Sequence, residues 1–204
     1  MLVGADLVRR RDPWRTPAMS GSIVPMDLPK YARWEHERRF LVRAEDARSV
    51  LDGPRSRIIE DRYLSCGRLR LRKLTDSVSG AVTLKLTKKY PSGSVLSQPI
   101  VTVLLSSDEH AALRALAGAD LRKRRFHDDV LGRPFGVDVF EGPLAGLVLC
   151  SVETDTLEEL ERVARPRYAG PEVTHDPFFC GGRLSVATAG ELERALASVL
   201  HAGP

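Results

Sequence analysis

Charged and apolar residues alternate at every second position in several short segments of the chain. Residues 68–72 read Arg-Leu-Arg-Leu-Arg, and residues 83–86 read Thr-Leu-Lys-Leu. In a β-strand, such alternation puts the charged side chains on one face and the apolar side chains on the other. Together with the turn-like residues between segments, the pattern predicts strands at 34–42, 57–64, 68–74, 81–88, 99–105, 121–129, 135–141 and 147–154.

Helical patterns are inserted between and after these strands. Residues 44–51 and 108–116 predict short helices, the second capped by Ser107. A capping-box pattern at Thr156 predicts a third helix, and residues 188–200 predict a last amphipathic helix, while 166–177 is rich in turn residues. About eight short strands with inserted helices predict an α+β protein built on a closed antiparallel β-barrel or a sandwich.

The length of the chain and the positions of its prolines indicate one domain. The 204 residues suit a single core, and residues 1–29 carry four prolines without periodicity, which predicts a disordered N-terminal tail before a domain at 30–204. No apolar run approaches the ~20 residues that cross a bilayer, and no signal peptide is evident. The three cysteines are far apart and are predicted to be reduced thiols of a cytoplasmic protein that does not enter a membrane.

The charge of the chain restricts the possible classes of binding partner only in part. Its net charge is +4, and arginine greatly outnumbers lysine. The excess of arginine favours bidentate binding of phosphate by guanidinium groups, or it reflects codon usage in the genome. Only 6% of residues are aromatic, and they are not interleaved with the basic residues. Because stacking on aromatic side chains supports polynucleotide binding, nucleic acid is not an expected partner.

The alternating charged faces suggest chemistry when they are taken together. A single such strand is compatible with a solvated sheet face. Lys88, Lys89 and Tyr90 are interpreted as a solvated strand end, with contact to an anion at an entrance as the less favoured alternative. If all the strands close into a barrel with these faces inward, the interior holds both acids and bases, which must be paired, metal-bound or matched by an anion. A polyphosphate with a divalent cation satisfies both sets, and Glu35 and Glu37 would stand roughly 6–7 Å apart along one strand.

The order of these motifs resembles that of the CYTH superfamily of triphosphate tunnel proteins. Residues 35–42 read EHERRFLV and are similar to its ExExK signature, with arginine in place of the lysine. Further similar segments follow in the family's order, at 63–64, 69–72, 82–85, 123–126, 138–149 and 172–174. The resemblance implies an eight-stranded closed tunnel with helices packed around it. Known members hydrolyse inorganic or thiamine triphosphate, remove RNA 5′ phosphates or cyclise ATP, with Mg²⁺ or Mn²⁺.

The resemblance also implies a role for each charged motif residue. The expected metal ligands are Glu35, Glu37 and Glu153, with Glu35, Glu37 and Asp138 as the catalytic acids of the lumen. The expected phosphate-binding residues are Arg39, Arg68, Arg70, Arg72, Lys85, Lys123 and Arg125. The implied ligand is a small triphosphate or polyphosphate.

Two departures from the family pattern keep the function open. Many catalytic members have an R-x-E-x-E strand in mid-chain, and residues 96–103 here lack those acids; Ser151 and Glu153 replace an acid-x-acid pair. The first hypothesis is therefore a metal-dependent triphosphatase, the alternatives being a non-catalytic phosphate-binding module or a nucleotidyl cyclase. The last helix could pack on the barrel or on a second copy, as in a homodimer.

Overall fold

The computed structural model of the chain describes residues 28–65 and 67–201. The predicted tail up to residue 27, and Cys66, lie outside the described residues. The strands are β1 (Arg33–Val42), β2 (Ser56–Leu64), β3 (Leu69–Asp76), β4 (Val82–Lys89), β5 (Ser97–Leu104), β6 (Gly118–Val130), β7 (Arg133–Phe140), β8 (Val148–Thr154) and β9 (Ala169–Glu172). The helices are α1 (Arg48–Leu51), α2 (Ser107–Arg114), α3 (Leu157–Glu161), α4 (Gly181–Leu184) and α5 (Ala189–His201), with 3₁₀ turns at Gly142–Leu144 and Pro177–Phe179.

The first eight strands close into one antiparallel barrel. Their order around the barrel is β5-β4-β3-β2-β6-β7-β8-β1, and β1 pairs with β5 to complete the ring. In the closing ladder Glu35 lies opposite Gln98. The prediction of an α+β protein with a closed eight-stranded barrel is confirmed.

Strand β1 divides one of its edges between two partners. Its first residues pair with β5, whereas Phe40 and Val42 pair with β9. Strand β9 lies in the region predicted only as turn-rich, so the sequence analysis missed it. Its sequence, Ala-Gly-Pro-Glu, carries no alternation, and pairing with β1 alone makes it a strand.

The barrel wall separates two apolar clusters. On its outer face Phe40, Phe126, Phe135 and Val137 pack with residues of the α3 region such as Leu160. Inside, one end of the lumen is filled by a second cluster that we call the apolar floor: Leu41, Tyr63, Leu121, Phe140 and Leu149 of the strands, with Val173, Phe179, Leu184 and Leu192 of the C-terminal segment. Charged residues therefore occupy the lumen above an apolar base.

Helix boundaries follow their caps. The N-cap of α2 is Ser106, whose hydroxyl accepts from Glu109 N while the Glu109 carboxylate accepts from Ser106 N, so the predicted cap at Ser107 is wrong by one residue. Helix α1 is shorter than predicted, because residues 44–47 form turns. The predicted start of α5 is confirmed by the reciprocal bonds of Thr188 and Glu191. Among the described helices, none has the length and apolarity to cross a membrane.

Candidate functional site: the charged lumen

The interior of the barrel holds a cavity of about 480 Å³. All the residues singled out for chemistry by the sequence line this one space: Glu35, Glu37, Arg39, Arg68, Arg70, Arg72, Lys85, Lys123, Arg125, Asp138 and Glu153. They converge because inward and outward side chains alternate along each strand of a closed sheet. The fold thus brings the predicted residues together, while the role of each one stays a prediction.

Positive charge dominates the described lining of this cavity. Ten basic side chains line it, against five acidic ones. The basic ones are Arg33, Arg39, Arg57, Arg68, Arg70, Arg72, Lys85, Lys89, Lys123 and Arg125. An excess of cations inside a barrel is unfavourable unless an anion or buried acids compensate it, so the charge of this lining favours an anion over a cation.

The acids gather on the wall formed by β1 and β8. Glu37 lies directly opposite Glu153 in the ladder, and Glu35 lies two residues before Glu37 on the same face. The Lys89 ammonium contacts Glu35, and the Arg39 Nε lies 3.1 Å from a Glu37 oxygen. Two carboxylates facing each other across a ladder repel, which makes the pair a candidate cation site.

Electrostatics differ sharply between these two carboxylates. Burial would raise the pKa of Glu37, but the nearby cations Arg39, Lys89, Arg125 and Lys123 outweigh it and lower the pKa to about 2. The pKa of Glu153 is raised instead, by its desolvation in the tunnel wall and by the negative charges of Glu37 and Glu35. One acid is therefore held firmly ionised, and its neighbour resists a second negative charge.

Asp138 is the centre of a buried ion cluster between β6 and β7. Lys123 Nζ donates to it at 2.6 Å, and Arg125 donates through Nε and Nη2, both at 2.7 Å. Burial opposes its ionisation, but these two cations hold the pKa of Asp138 well below its usual range. Burial lowers the pKa of Lys123 to about 8, more than the Asp138 charge restores.

A glycine makes room for this cluster. Gly136, on β7, faces Arg125 so closely that a Cβ at that position would lie 3.0 Å from Arg125 Nε and 3.1 Å from its Cζ. The Arg125 side chain therefore lies over Gly136 of β7, where its guanidinium donates to Asp138. A larger residue at 136 would push the guanidinium away from the carboxylate.

A second ion pair stiffens the wall of β2 and β3. Arg72 donates to both oxygens of Asp61, at 2.6 and 2.7 Å, and the Asp61 residue is only 2% exposed. Below it, Arg70 lies opposite Tyr63 of the apolar floor and interacts with its phenol. The Tyr63 ring in turn packs on Gly181, where a Cβ would stand 2.0 Å from the phenolic oxygen.

Other lumen cations have no acidic partner within the described part of the chain. Arg33, Arg57, Arg68 and Lys85 form no ion pair with any described residue. Burial lowers the pKa of Lys85, and the positive charges of Arg72, Arg33, Arg57 and Arg70 lower it further. In addition, Arg70 Nε is buried without a hydrogen-bond acceptor among the described residues, whereas Arg39 Nε already contacts Glu37. The Nε of Arg70 and the cations without acidic partners are available to the oxygens of a ligand.

Several lumen residues were missed by the sequence analysis. The reading of Lys89 as a solvated strand end is wrong, because Lys89 continues the inward series of Lys85 and Thr87 and contacts Glu35. Asp61 and Tyr63 share the inward face of β2, whose charge pattern is less regular. Extending the period-two alternation by one step in each strand would have found Lys89, and also Arg33 before Glu35.

The wall of β5 differs from the rest of the lumen. Gln98, Ile100 and Thr102 line the cavity there, and none of them carries a charge. Within residues 28–65 and 67–201, no three His, Cys, Asp or Glu side chains are grouped closely enough to hold a metal ion by themselves. Any cation in the lumen would therefore need ligand oxygens or water in addition to the carboxylates of β1 and β8.

Comparison with known proteins gives structural likenesses only. No family model matches the chain, and no curated protein matches its sequence significantly. Among solved structures, the inorganic triphosphatase NE1496 aligns with 22% identity and a TM-score of 0.48, over 75% of this chain and 95% of its own. HpAC1 from Hippeastrum, described as a proposed adenylyl cyclase with a dominant triphosphatase activity, aligns with 11% identity and a TM-score of 0.43, over 63% and 82%.

A third match is the PH1819 protein from Pyrococcus horikoshii OT3, with 19% identity and a TM-score of 0.47, over 62% of this chain and 82% of its own. At these identities and TM-scores, the matches do not assign a reaction to this chain. The argument for its chemistry rests on the residues that line the lumen. In motif order, closed barrel and charged lumen, the chain resembles the CYTH superfamily of triphosphate tunnel proteins.

Proposed function

We propose that the chain binds a small triphosphate in its lumen and hydrolyses it with Mg²⁺ or Mn²⁺, inorganic triphosphate being the simplest substrate. The observation that supports this most is the group of lumen cations without acidic partners, next to a pair of facing carboxylates. A triphosphate carries enough charge to engage several arginines and lysines at once. The carboxylates would serve the cation that accompanies it.

The phosphate chain would be held by guanidinium groups that are already in position. Asp61 and Asp138 fix the planes of Arg72 and Arg125 through two-point bonds, so little side-chain freedom is lost on binding. The free Nε of Arg70 and the ammonium of Lys85 supply further donors. Lys85 lies opposite Arg72 in the β3–β4 ladder, so these two cations can share one phosphate.

The donor set on β1 and β8 fits Mg²⁺ or Mn²⁺ in combination with a phosphate ligand. Magnesium sites commonly use one or two carboxylates, substrate phosphates and water, and do not require a cage of protein ligands. Glu37 and Glu153 would hold the ion, and Glu35 would assist from the same face. When bound, the ion would neutralise phosphate charge and lower the pKa of a coordinated water.

The chain's own residues would then perform the hydrolysis largely by position and charge. The attacking water would approach the terminal phosphorus from the acidic wall of β1 and β8, and the leaving diphosphate would remain among the arginines. Lys123 and Arg125 would stabilise the charge that develops on the phosphoryl oxygens. Because the Asp138 oxygens accept three bonds from these cations, we assign Asp138 a positioning role.

A second candidate function is a receptor that holds triphosphate or polyphosphate without turnover. The uncharged wall of β5 favours it, since Gln98 and Thr102 cannot complete a metal site as acids would. Binding would then require the cations alone and would proceed without a divalent ion. A cyclase would need a pocket for a base and ribose, and no feature of the described lumen suggests one.

Phosphate release separates the two candidates. Purified protein would be assayed with inorganic triphosphate, ATP and thiamine triphosphate, with Mg²⁺ or Mn²⁺ and with EDTA, beside the Glu35→Gln/Glu37→Gln double variant. We expect turnover of inorganic triphosphate that needs the metal and is lost in the variant. Tight binding without turnover of any triphosphate would exclude the hydrolase and favour the receptor.

A further inference from the structure

Two arginines outside the recognised motifs lie at one mouth of the lumen. Arg33 is the first residue of β1, and Arg57 is the second residue of β2. Both are exposed, and both line the cavity. Antiparallel pairing puts the starts of β1 and β2 at the same end of the barrel as the β3–β4 turn. Arg33 and Arg57 therefore share one rim, and Lys85 lies three residues into β4 from that end.

Neither arginine is committed within the protein. On β2, Arg57 lies between Arg125 of β6, which is already bound to Asp138, and Asp76 of β3, whose carboxylate accepts from backbone N–H groups of the β3–β4 turn. Neither Arg57 nor Arg33 forms an ion pair with any described residue. Like charges placed opposite each other destabilise a sheet unless a counter-charge lies between them. The lowered pKa of Lys85, caused first by burial and then by Arg72, Arg33, Arg57 and Arg70, reports the same crowding of positive charge.

We propose that Arg33 and Arg57 form an outer phosphate subsite, which takes the fourth phosphate of a linear inorganic polyphosphate whose first three phosphates lie deeper in the lumen. This subsite rests on the proposed function, because it extends the same ligand outward. It supplies cations at the rim, while the adjacent wall of β5 has only uncharged side chains such as Gln98 and Thr102. Arg33 and Arg57 would thus extend the phosphate-binding cations outward from the lumen, without a charged side chain from β5.

The surroundings of the mouth favour an inorganic chain over a nucleotide. The aromatic residues of the described cavity lining are Tyr63, Phe140 and Phe179, and all three belong to the apolar floor at the other end. Trp34 alternates to the outer face of β1, where it stacks with His36. Among the described residues that line the cavity, a nucleobase leaving the lumen at this mouth would therefore find arginines but no Phe, Tyr or Trp ring on which to stack.

Binding of inorganic tri- and tetraphosphate in EDTA tests the subsite without hydrolysis. Titration calorimetry would compare the wild-type protein with the Arg33→Gln/Arg57→Gln double variant. We expect the wild type to bind tetraphosphate at least about tenfold more tightly than triphosphate, because two charged donors are added. In the double variant the two affinities should become equal, with triphosphate affinity changed by less than about threefold.

A matched control removes the same charge elsewhere. Arg43 and Arg124 are exposed and do not line the cavity, so Arg43→Gln/Arg124→Gln should keep the preference for tetraphosphate. Equal losses for both ligands in the mouth variant would mean long-range attraction only and would overturn the subsite, as would a wild type without preference. A wild type that binds neither ligand would instead refute the proposed function itself.

Discussion

Glu37 lies directly opposite Glu153 in the β1–β8 ladder, so two lumen carboxylates face each other on neighbouring strands. Desolvation and the charges of Glu37 and Glu35 raise the pKa of Glu153, so its negative charge is unfavourable unless a cation compensates it. If the pair holds a divalent cation, Glu153 is kept at a cost in stability that function offsets.

We therefore predict opposite effects of Glu153→Gln on stability and on activity. Triphosphate turnover should fall about 100-fold or more, because a ligand of the cation is lost. The free energy of unfolding without metal should rise by up to about 1 kcal/mol, a modest gain because solvent reaches this side chain. Urea unfolding and phosphate release measure the two. Glu193→Gln, an exposed change on α5, should alter neither, and a destabilised but fully active Glu153 variant would contradict the assignment.

The low pKa of Lys123 predicts a pH dependence of binding. Burial lowers this pKa from 10.5 to about 8, so the ammonium loses its proton as the pH rises through about 8. Metal-free affinity for triphosphate should then fall several-fold between pH 7 and pH 9. Lys123→Arg should remove this dependence, since arginine stays charged. Calorimetric titration across the pH range checks it, and an identical profile in both proteins would refute the role of Lys123.

The same group makes a prediction for stability with the opposite sign. The folded-state pKa of Lys123 lies below its unfolded value, so between about pH 8 and 10.5 the unfolded chain binds more protons at this site. This site should therefore make the free energy of unfolding rise with pH across that window. Comparing wild type with Lys123→Met by denaturant titration at pH 7.5 and 10 isolates the contribution, and a wild type that loses more stability than the variant would contradict it.

Gly136 provides a way to move Arg125 without mutating it. A Cβ there would lie 3.0 to 3.2 Å from the Arg125 side chain, so Gly136→Val should displace the guanidinium from Asp138. We expect triphosphate affinity to fall at least about tenfold, as one charged donor leaves the lumen. At Gly190, which does not line the cavity, a Cβ would meet only Arg194 Nη1, at 3.7 Å, which makes Gly190→Val the control. Unchanged affinity in a folded Gly136 variant would exclude Arg125 from the phosphate site.

The pair of Asp61 and Arg72 should matter more for folding than an exposed ion pair. The Asp61 side chain is fully buried and that of Arg72 is 13% exposed, so Asp61→Asn leaves a buried guanidinium without its counter-charge. We expect a loss of about 3 kcal/mol in the free energy of unfolding. The exposed pair of Arg162 and Glu158 gives the comparison, since Glu158→Gln should cost less than about 0.5 kcal/mol. Equal effects in chemical denaturation would show that Asp61 is not structurally special.

The sequence predicted the lumen because alternation is a local property. Within residues 68–72 and 83–86, charged and apolar side chains alternate, which predicts that the charged ones share one face of each strand. Closure of the barrel therefore brought Arg70, Arg72 and Lys85 together as expected. The apolar floor could not be predicted in the same way. Tyr63 meets Gly181 across more than 100 positions of sequence, and nothing in either local pattern marks the other.

Pairing across long distances also explains the remaining misses. Strand β9 exists only because β1 has a free edge beyond β5, and the partners of Asp61 and Lys89 lie on other strands. The assignment of metal ligands depends on more than position, since it requires the charge state of Glu153 and the oxygens of a ligand. The roles of the expected metal ligands stay predictions, drawn from the residue types and from the charges around them.

Titration calorimetry of inorganic triphosphate in EDTA tests the central claim most directly, because it asks whether the lumen cations bind the anion. The wild-type protein would be compared with Arg70→Gln/Lys85→Gln and with the external control Arg43→Gln/Arg124→Gln. We predict one site per chain, an affinity at least about 100-fold weaker in the lumen variant, and no change in the control. Binding that is absent in the wild type, or equal in all three proteins, would contradict a triphosphate site in this barrel.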